Sequence, residues 1–181
     1  MDRIDELNKI RDIIKKCTKC RLAKARGNAV PGEGPLDPKY MFIGQGPGKK
    51  EDLTGQPFVG QAGKFLDMLM EKNGIDRKKA FITSTVKCMT PENRLPKDDE
   101  VKTCLPFALN QIKLVQPEII VLLGRVAMKA FTPFTNLDEH HGKMIKVENK
   151  EYFLTYHPAS GMRFPEIKKK MEKDFKNLKE F

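Results

Sequence analysis

Apolar positions along the chain follow two rhythms in turn. Ile4, Leu7, Ile10 and Ile14 recur at helical spacing and predict a helix over residues 2–16, ending at Cys17. Residues 27–38 are crowded with glycine and proline and predict a loop. Tyr40-Met41-Phe42-Ile43 is a short apolar run, read as a buried strand that leads straight into Gly44-Gln45-Gly46-Pro47-Gly48. The helical rhythm returns at Ala62, Phe65, Leu66, Leu69 and Met70, and Asn73-Gly74 supplies the stop. Residues 81–86 read as the next strand. Val101, Cys104, Leu105, Ala108, Leu109, Ile112 and Val115 make a second helical stripe. Residues 118–124 are a continuous apolar strand, as in a parallel sheet covered on both faces. A short helix over Arg125–Phe131, a strand over residues 152–156 ending at His157-Pro158, and a basic helix from about Pro165 complete the pattern.

Strands alternating with helices imply right-handed βαβ units. The predicted fold is α/β, a three-layer α/β/α sandwich with a central, mostly parallel four-stranded sheet. The 181 residues fit one domain, 1–181, with length enough for a real core. In such sheets ligands bind beyond the carboxyl ends of the strands. That rule gathers residues 44–48, 84–88, Gly124 and His157 along one edge.

Charge sharpens the picture. Lysine and arginine number 34 against 24 acidic residues, a formal charge of +10, which suits a polyanion such as nucleic acid. A lysine-rich solvated surface is the plainer explanation, and no single basic stripe stands out. No apolar run is long enough to span a membrane. The charged N-terminal segment does not read as a signal peptide, so an intracellular, cytoplasmic and nucleoid-associated protein is expected.

Four cysteines carry the most distinctive spacing. Cys17 and Cys20 form a C-x2-C pair, whereas Cys88 and Cys104 lie far downstream with fifteen residues between them. A zinc ribbon needs two tight pairs, and the second pair is too loose. Four thiolates from separate segments suit an iron–sulfur cluster. Buried structural thiols remain the alternative, Cys104 above all, because it lies on the apolar face of a predicted helix.

The glycine-rich turn after the first strand fits neither the P-loop nor the dinucleotide fingerprint. Its glycines let backbone N–H groups approach a ligand closely. Glu51-Asp52 follow, and Phe58 sits in a loop able to offer a stacking face. His157 at a strand end, followed by a small flexible loop and Arg163, is the second candidate. His140-His141 read as a solvated turn, and Met68, Met70 and Met128 as core filling.

Taken in order, Gly44-Gln45-Gly46-Pro47-Gly48, Glu51-Asp52, Gly55-x-Pro57-Phe58-Val59-Gly60-x-Ala62-Gly63, Val86-Lys87-Cys88 and His157-Pro158-Ala159 resemble the family 4 uracil-DNA glycosylases. The resemblance runs from Cys17 to Arg163. It implies a [4Fe-4S] cluster on Cys17, Cys20, Cys88 and Cys104, as a structural brace, and DNA containing deaminated bases as partner. Base flipping into a pocket is implied with it. His157 would bond the departing base oxygen and Phe58 would stack on the base. The turn Gly44, Gln45, Gly46, Pro47 and Gly48 would contact the base or a water. The segment Pro158, Ala159, Ser160, Gly161, Met162 and Arg163 would enter the duplex, with Met162 as wedge and Arg163 on phosphate.

Two positions depart from the family pattern. Gln45 stands where the family carries Glu, which shifts the expected water activation to Glu51 or Asp52. Ser84 stands where the family carries a base-reading Asn. A hydroxyl rotates, donates or accepts, and leaves room. Relaxed selectivity, taking hypoxanthine and xanthine beside uracil, is therefore expected. A DNA-damage sensor that binds without cleaving, kept open by Gln45, and a zinc-stabilised nucleic-acid-binding domain are the rival readings. A monomer is expected. No clamp-binding peptide is recognisable, although the tail 175–181 carries two aromatics.

Overall fold

A computed structural model describes residues 2–181. The first helix, α1 (Arg3–Lys15), lies against α4 (Asp98–Val115). Four strands form a parallel array: β1 (Tyr40–Gly44), β2 (Phe81–Ser84), β3 (Ile119–Leu123) and β5 (Lys150–Thr155). The sheet order is β2-β1-β3-β5-β4, with β4 (Met144–Val147) antiparallel at the edge. The predicted α/β sandwich is the observed fold, with five strands in place of four. Every residue of β1, β2 and β3 is buried, which is what a sheet covered on both faces requires.

Each βα crossover brings a helix onto the sheet. After β1 come α2 (Lys49–Thr54) and α3 (Gln61–Lys72). Helix α3 ends as its sequence indicates, with Gly74 at φ 70° and the Ile75 N–H donating to the Met70 carbonyl. Helix α4 contains Pro106, whose missing N–H frees the carbonyl of Lys102, a residue exposed to solvent. Helices α5 (Arg125–Phe131) and α6 (Leu137–His140) follow β3.

The segment after β5 is ordered helix, α7 (Pro158–Arg163), and not the flexible loop expected. Pro158 occupies the first helical position, and His157 caps the helix by accepting the Ala159 N–H on Nδ1 at 3.1 Å. Gly161 lets α7 pack tightly, because a Cβ there would come within 2.6 Å of Phe65 and 2.8 Å of Met171. The final helix, α8 (Pro165–Lys179), seats Met171, Phe175 and Leu178 on the core. His141 is not a solvated turn residue. Its Nδ1 lies 2.9 Å from the carboxylate of buried Asp174, which also accepts from Thr155 Oγ1 at 2.7 Å.

No helix of the described residues is long and apolar enough to cross a membrane.

Candidate active site

The carboxyl ends of β1, β2 and β5 open into one cleft of about 720 Å³. Its floor is built around the Phe58 ring. Gly44, the last residue of β1, lies under that ring, since a Cβ there would sit 2.5 Å from Phe58 Cζ. Phe58 itself has φ 50°, a costly backbone for an aromatic residue. Its neighbours hold it there. Gly63 makes room for the Phe58 carbonyl, which would lie 1.9 Å from any added Cβ. Arg77 donates to the Pro57 and Phe58 carbonyls at 2.7 and 3.3 Å and is paired with Asp67 at 2.6 Å.

His157 stands over this floor, its ring centroid 6.0 Å from that of Phe58. Because Nδ1 accepts the Ala159 N–H, the ring proton resides on Nε2. Burial holds the imidazole pKa down at about 4, with Glu51 pulling the other way. At neutral pH the ring is therefore an uncharged donor. Gly124 at φ 92° gives it space, as a Cβ there would be 2.9 Å from His157 Cβ. Ser84 closes the far wall at the end of β2, paired in register with Gly44. It is buried, and its backbone carbonyl accepts from Lys87 Nζ at 2.8 Å.

Glu51 lines the cleft, and three backbone donors engage its carboxylate. The Val59 and Gly60 N–H groups reach Oε1 at 2.8 Å each, and the Gly48 N–H reaches Oε2 at 3.1 Å. It ties the glycine-rich turn to the Phe58 loop. Asp52 faces elsewhere: both of its oxygens accept the Gly27 N–H at 2.9 Å, and it is absent from the cleft lining. The water-activating role expected of Asp52 has no geometric support, because its carboxylate latches the preceding loop.

The cysteines come together from three segments. Cys17, Cys20, Cys88 and Cys104 all line one apolar pocket with Ile14, Ala23 and Phe107. Arg26 Nη1 donates to Cys88 Sγ at 2.9 Å, and the Lys87 N–H donates to Cys104 Sγ at 3.2 Å. Burial pushes the Cys88 thiol up and the Cys104 thiol up to about 11, with Arg26 and Lys87 respectively opposing it. Among the described residues, no group of three or more His, Cys, Asp or Glu side chains is arranged to hold a single metal ion. The donor set, all sulfur in an apolar pocket with two hydrogen-bond donors aimed at it, is of the kind that an iron–sulfur cluster takes.

The family model described as the uracil DNA glycosylase superfamily matches residues 31–179. The chain belongs to the uracil DNA glycosylase superfamily. A Type-4 uracil-DNA glycosylase of Sulfurisphaera tokodaii is 42% identical over 98% of this chain and 85% of its own. The Type-4 enzyme of Archaeoglobus fulgidus is 35% identical over 99% of this chain and 94% of its own. That of Thermotoga maritima is 38% identical over 93% and 90%.

Within this superfamily member, most of the expected site residues share the cleft: Gln45, Gly46, Pro47, Gly48, Glu51, Phe58, Ser84, His157, Ala159, Ser160 and Arg163 all line it. Gly44 supports Phe58 from below and does not line the cleft. Pro158 and Gly161 are buried in the seat of α7, and Met162 is 47% exposed and does not line the cleft.

Other contributors went unread in the sequence. Lys87 is buried, with Nζ donating to Thr83 Oγ1 at 2.5 Å, Gln111 Oε1 at 2.7 Å and the Ser84 carbonyl. Burial lowers its pKa to about 7, against the pull of Cys104. Its place between Ser84 and Cys88 was visible, but its inward direction was not. Lys49, Lys50, Asn93, Leu95 and Pro96 also line the cleft. The Thr-Pro-Glu-Asn-Arg-Leu-Pro run at 90–96 was the available signal, a turn-rich segment with one apolar residue.

Proposed function

We propose that the protein is a DNA glycosylase that flips a deaminated base out of DNA, uracil first, and hydrolyses its N-glycosidic bond. One observation carries this: a single cleft presents an aromatic face, an uncharged imidazole Nε2–H, a hydroxyl and a glycine-rich turn, with Lys49, Lys50 and Arg163 at its walls. That set matches the needs of an extruded base, which is stacked, bonded at its edges and held near phosphate.

The bond from C1′ to the base nitrogen breaks with its electron pair leaving on the base. Water adds its hydroxyl to C1′, and its proton balances the departing base. His157 Nε2–H meets the charge growing on the base oxygen, where an uncharged donor in a dry site is effective. Phe58 stacks on the base and excludes water. The Gln45 amide and the turn after it orient the attacking water. Glu51 has about one of its four lone-pair sites left by its three backbone donors, which suits it to hold that turn.

The Ser84 hydroxyl extends the reading to deaminated purines, hypoxanthine and xanthine, since it adapts to different base edges. Ser84→Asn should lower the ratio of hypoxanthine to uracil excision by roughly tenfold to a hundredfold, the range a mispaired polar contact commands. Oligonucleotides carrying one uracil, hypoxanthine, xanthine or normal base, incubated and then cleaved by alkali at abasic sites, measure both proposals. An unchanged ratio in the variant would reject the role of Ser84.

The Cys17, Cys20, Cys88 and Cys104 pocket is the proposed seat of a [4Fe-4S] cluster that braces the end of α1 against β2 and α4. When bound, such a cluster supplies positive metal charge that holds the thiolates ionised. Purified protein should be brown, with iron and sulfide in equal amounts, and Cys88→Ser should lose the colour and lower Tm. A colourless, zinc-loaded protein would reject the assignment.

Gln45, in place of a carboxylate, favours one second reading, a damage sensor that binds without cleaving. Abasic product from excess protein excludes it; tight binding with no product establishes it.

A further inference from the structure

The glycosylase reading assigns α7 to the duplex, yet the cleft has a second apolar lip. Leu95 is 67% exposed and lines the cleft together with Asn93 and Pro96. An exposed leucine on a slack loop would mean little. This loop is held firmly. Arg94 forms two bonds to Glu100, at 2.7 and 2.9 Å, and a third to the Leu95 carbonyl at 2.9 Å. Glu100 is buried on α4 and also accepts the Lys97 N–H at 2.8 Å. Thr90 Oγ1 donates to the Arg94 carbonyl at 2.5 Å. Glu92 and Asn93 both take φ 55°, a backbone that persists only where surroundings dictate it. The chain thus spends a half-buried ion pair and two residues of left-handed backbone to present Leu95 to solvent.

The position of the lip identifies its occupant. The loop follows β2, and α7 follows β5; the sheet order sets β2 and β5 three strand positions apart. At the usual strand spacing that is roughly 14 Å, wider than one base and comparable to a groove of B-DNA. Phe164, 45% exposed, lines the cleft from the α7 side, and Arg163, Lys49 and Lys50 supply positive charge around it. Apolar wedges with cations beside them suit a kinked, partly unstacked duplex.

We infer that Leu95 is a second wedge, entering the duplex from the β2 side and packing on the strand opposite the extruded base. Helix α7 serves the damaged strand; Leu95 serves its complement. Single-stranded DNA has no complement, so Leu95 acts on duplex substrates only.

The test compares uracil excision from a single strand and from a duplex of the same sequence. Leu95→Ala should reduce the ratio of duplex to single-strand kcat/KM by about tenfold, the scale of one lost unstacking contact. Leu95→Met should restore most of it. In parallel, 2-aminopurine is placed opposite a 2′-fluorinated uridine, which resists cleavage because the fluorine destabilises a cationic sugar. Wild-type protein should raise the aminopurine emission on binding, and Leu95→Ala should not. Equal losses on both substrates, no loss on either, or an unaltered aminopurine signal would overturn the inference. Wild-type protein that cleaves neither substrate would overturn the glycosylase reading instead, and the aminopurine signal would still decide Leu95.

Discussion

Replacing His157 by alanine should lower kcat for uracil excision by roughly 10²–10³, the loss seen when one preorganised donor is removed from a developing oxyanion. The effect should fall on kcat, with duplex Kd nearly unchanged, because the base oxygen carries full charge only as the bond breaks. A structural cost accompanies it. His157 caps α7 through Nδ1, and losing such a cap costs about 0.5–2 kcal/mol. Tm measured on the same variant separates the two: a cap loss moves Tm by a few degrees and leaves kcat alone. A fall in kcat under threefold would remove His157 from the chemistry.

Protonation gives a second handle on this residue. Burial sets its pKa near 4 in the folded protein, below the ordinary value of 6.5. Between those values the unfolded chain binds a proton that the folded chain refuses. The stability linked to this residue is therefore complete above pH 6.5 and declines as pH falls towards 4. Wild-type Tm should drop more than that of His157→Ala between pH 7 and pH 5. Over the same interval kcat should stay flat, since the ring remains uncharged. An inflection in kcat near pH 6.5 that vanishes in the variant would contradict a neutral donor.

The sequence made the parallel sheet legible because its strands are extreme. Residues 119–123 read Ile-Ile-Val-Leu-Leu, and all of them are buried. The edge strand β4 was not legible. Its Met-Ile-Lys-Val is half-exposed, short, and joined to β5 by a tight turn at Glu148, which has φ 53°. Such a strand draws its identity from pairing with β5, a tertiary fact that its own residues express weakly. Helix α7 hid for another reason. Ser160-Gly161 suggests a loop, while the proline at its first turn and the cap from His157 point to a helix. The cleft followed the same division. His157, Phe58 and Ser84 lie at strand ends or beside glycines, where position along the chain suffices to bring them together. The clamps around them, such as Arg77 on the Phe58 loop and Glu100 on Arg94, depend on long side chains reaching across the fold. Spacing along the chain does not encode that reach.

Glu51 shows how geometry decides between two roles. As a general base it should tolerate no loss of charge, and Glu51→Gln would abolish activity in a protein of normal stability. As a clamp it should fail in the opposite order. Glu51→Ala strands three backbone N–H groups, at about 1–3 kcal/mol each when buried. The turn at 44–48 and the Phe58 loop would lose their common anchor, and Phe58, already held at φ 50°, would relax. We expect Tm to fall by at least about 6 °C, from the usual shift of about 2–4 °C per kcal/mol for larger domains. Glu51→Gln retains one oxygen for Val59 and Gly60, but it turns an amide N–H towards the Gly48 N–H. It should therefore lie between wild type and Glu51→Ala in both Tm and kcat, the two moving together. Loss of kcat in Glu51→Gln at unchanged Tm would make Glu51 the base that Gln45 cannot be. The geometry argues otherwise, because backbone N–H groups already take three of the four lone-pair sites of this carboxylate, which makes it an anchor for the turn.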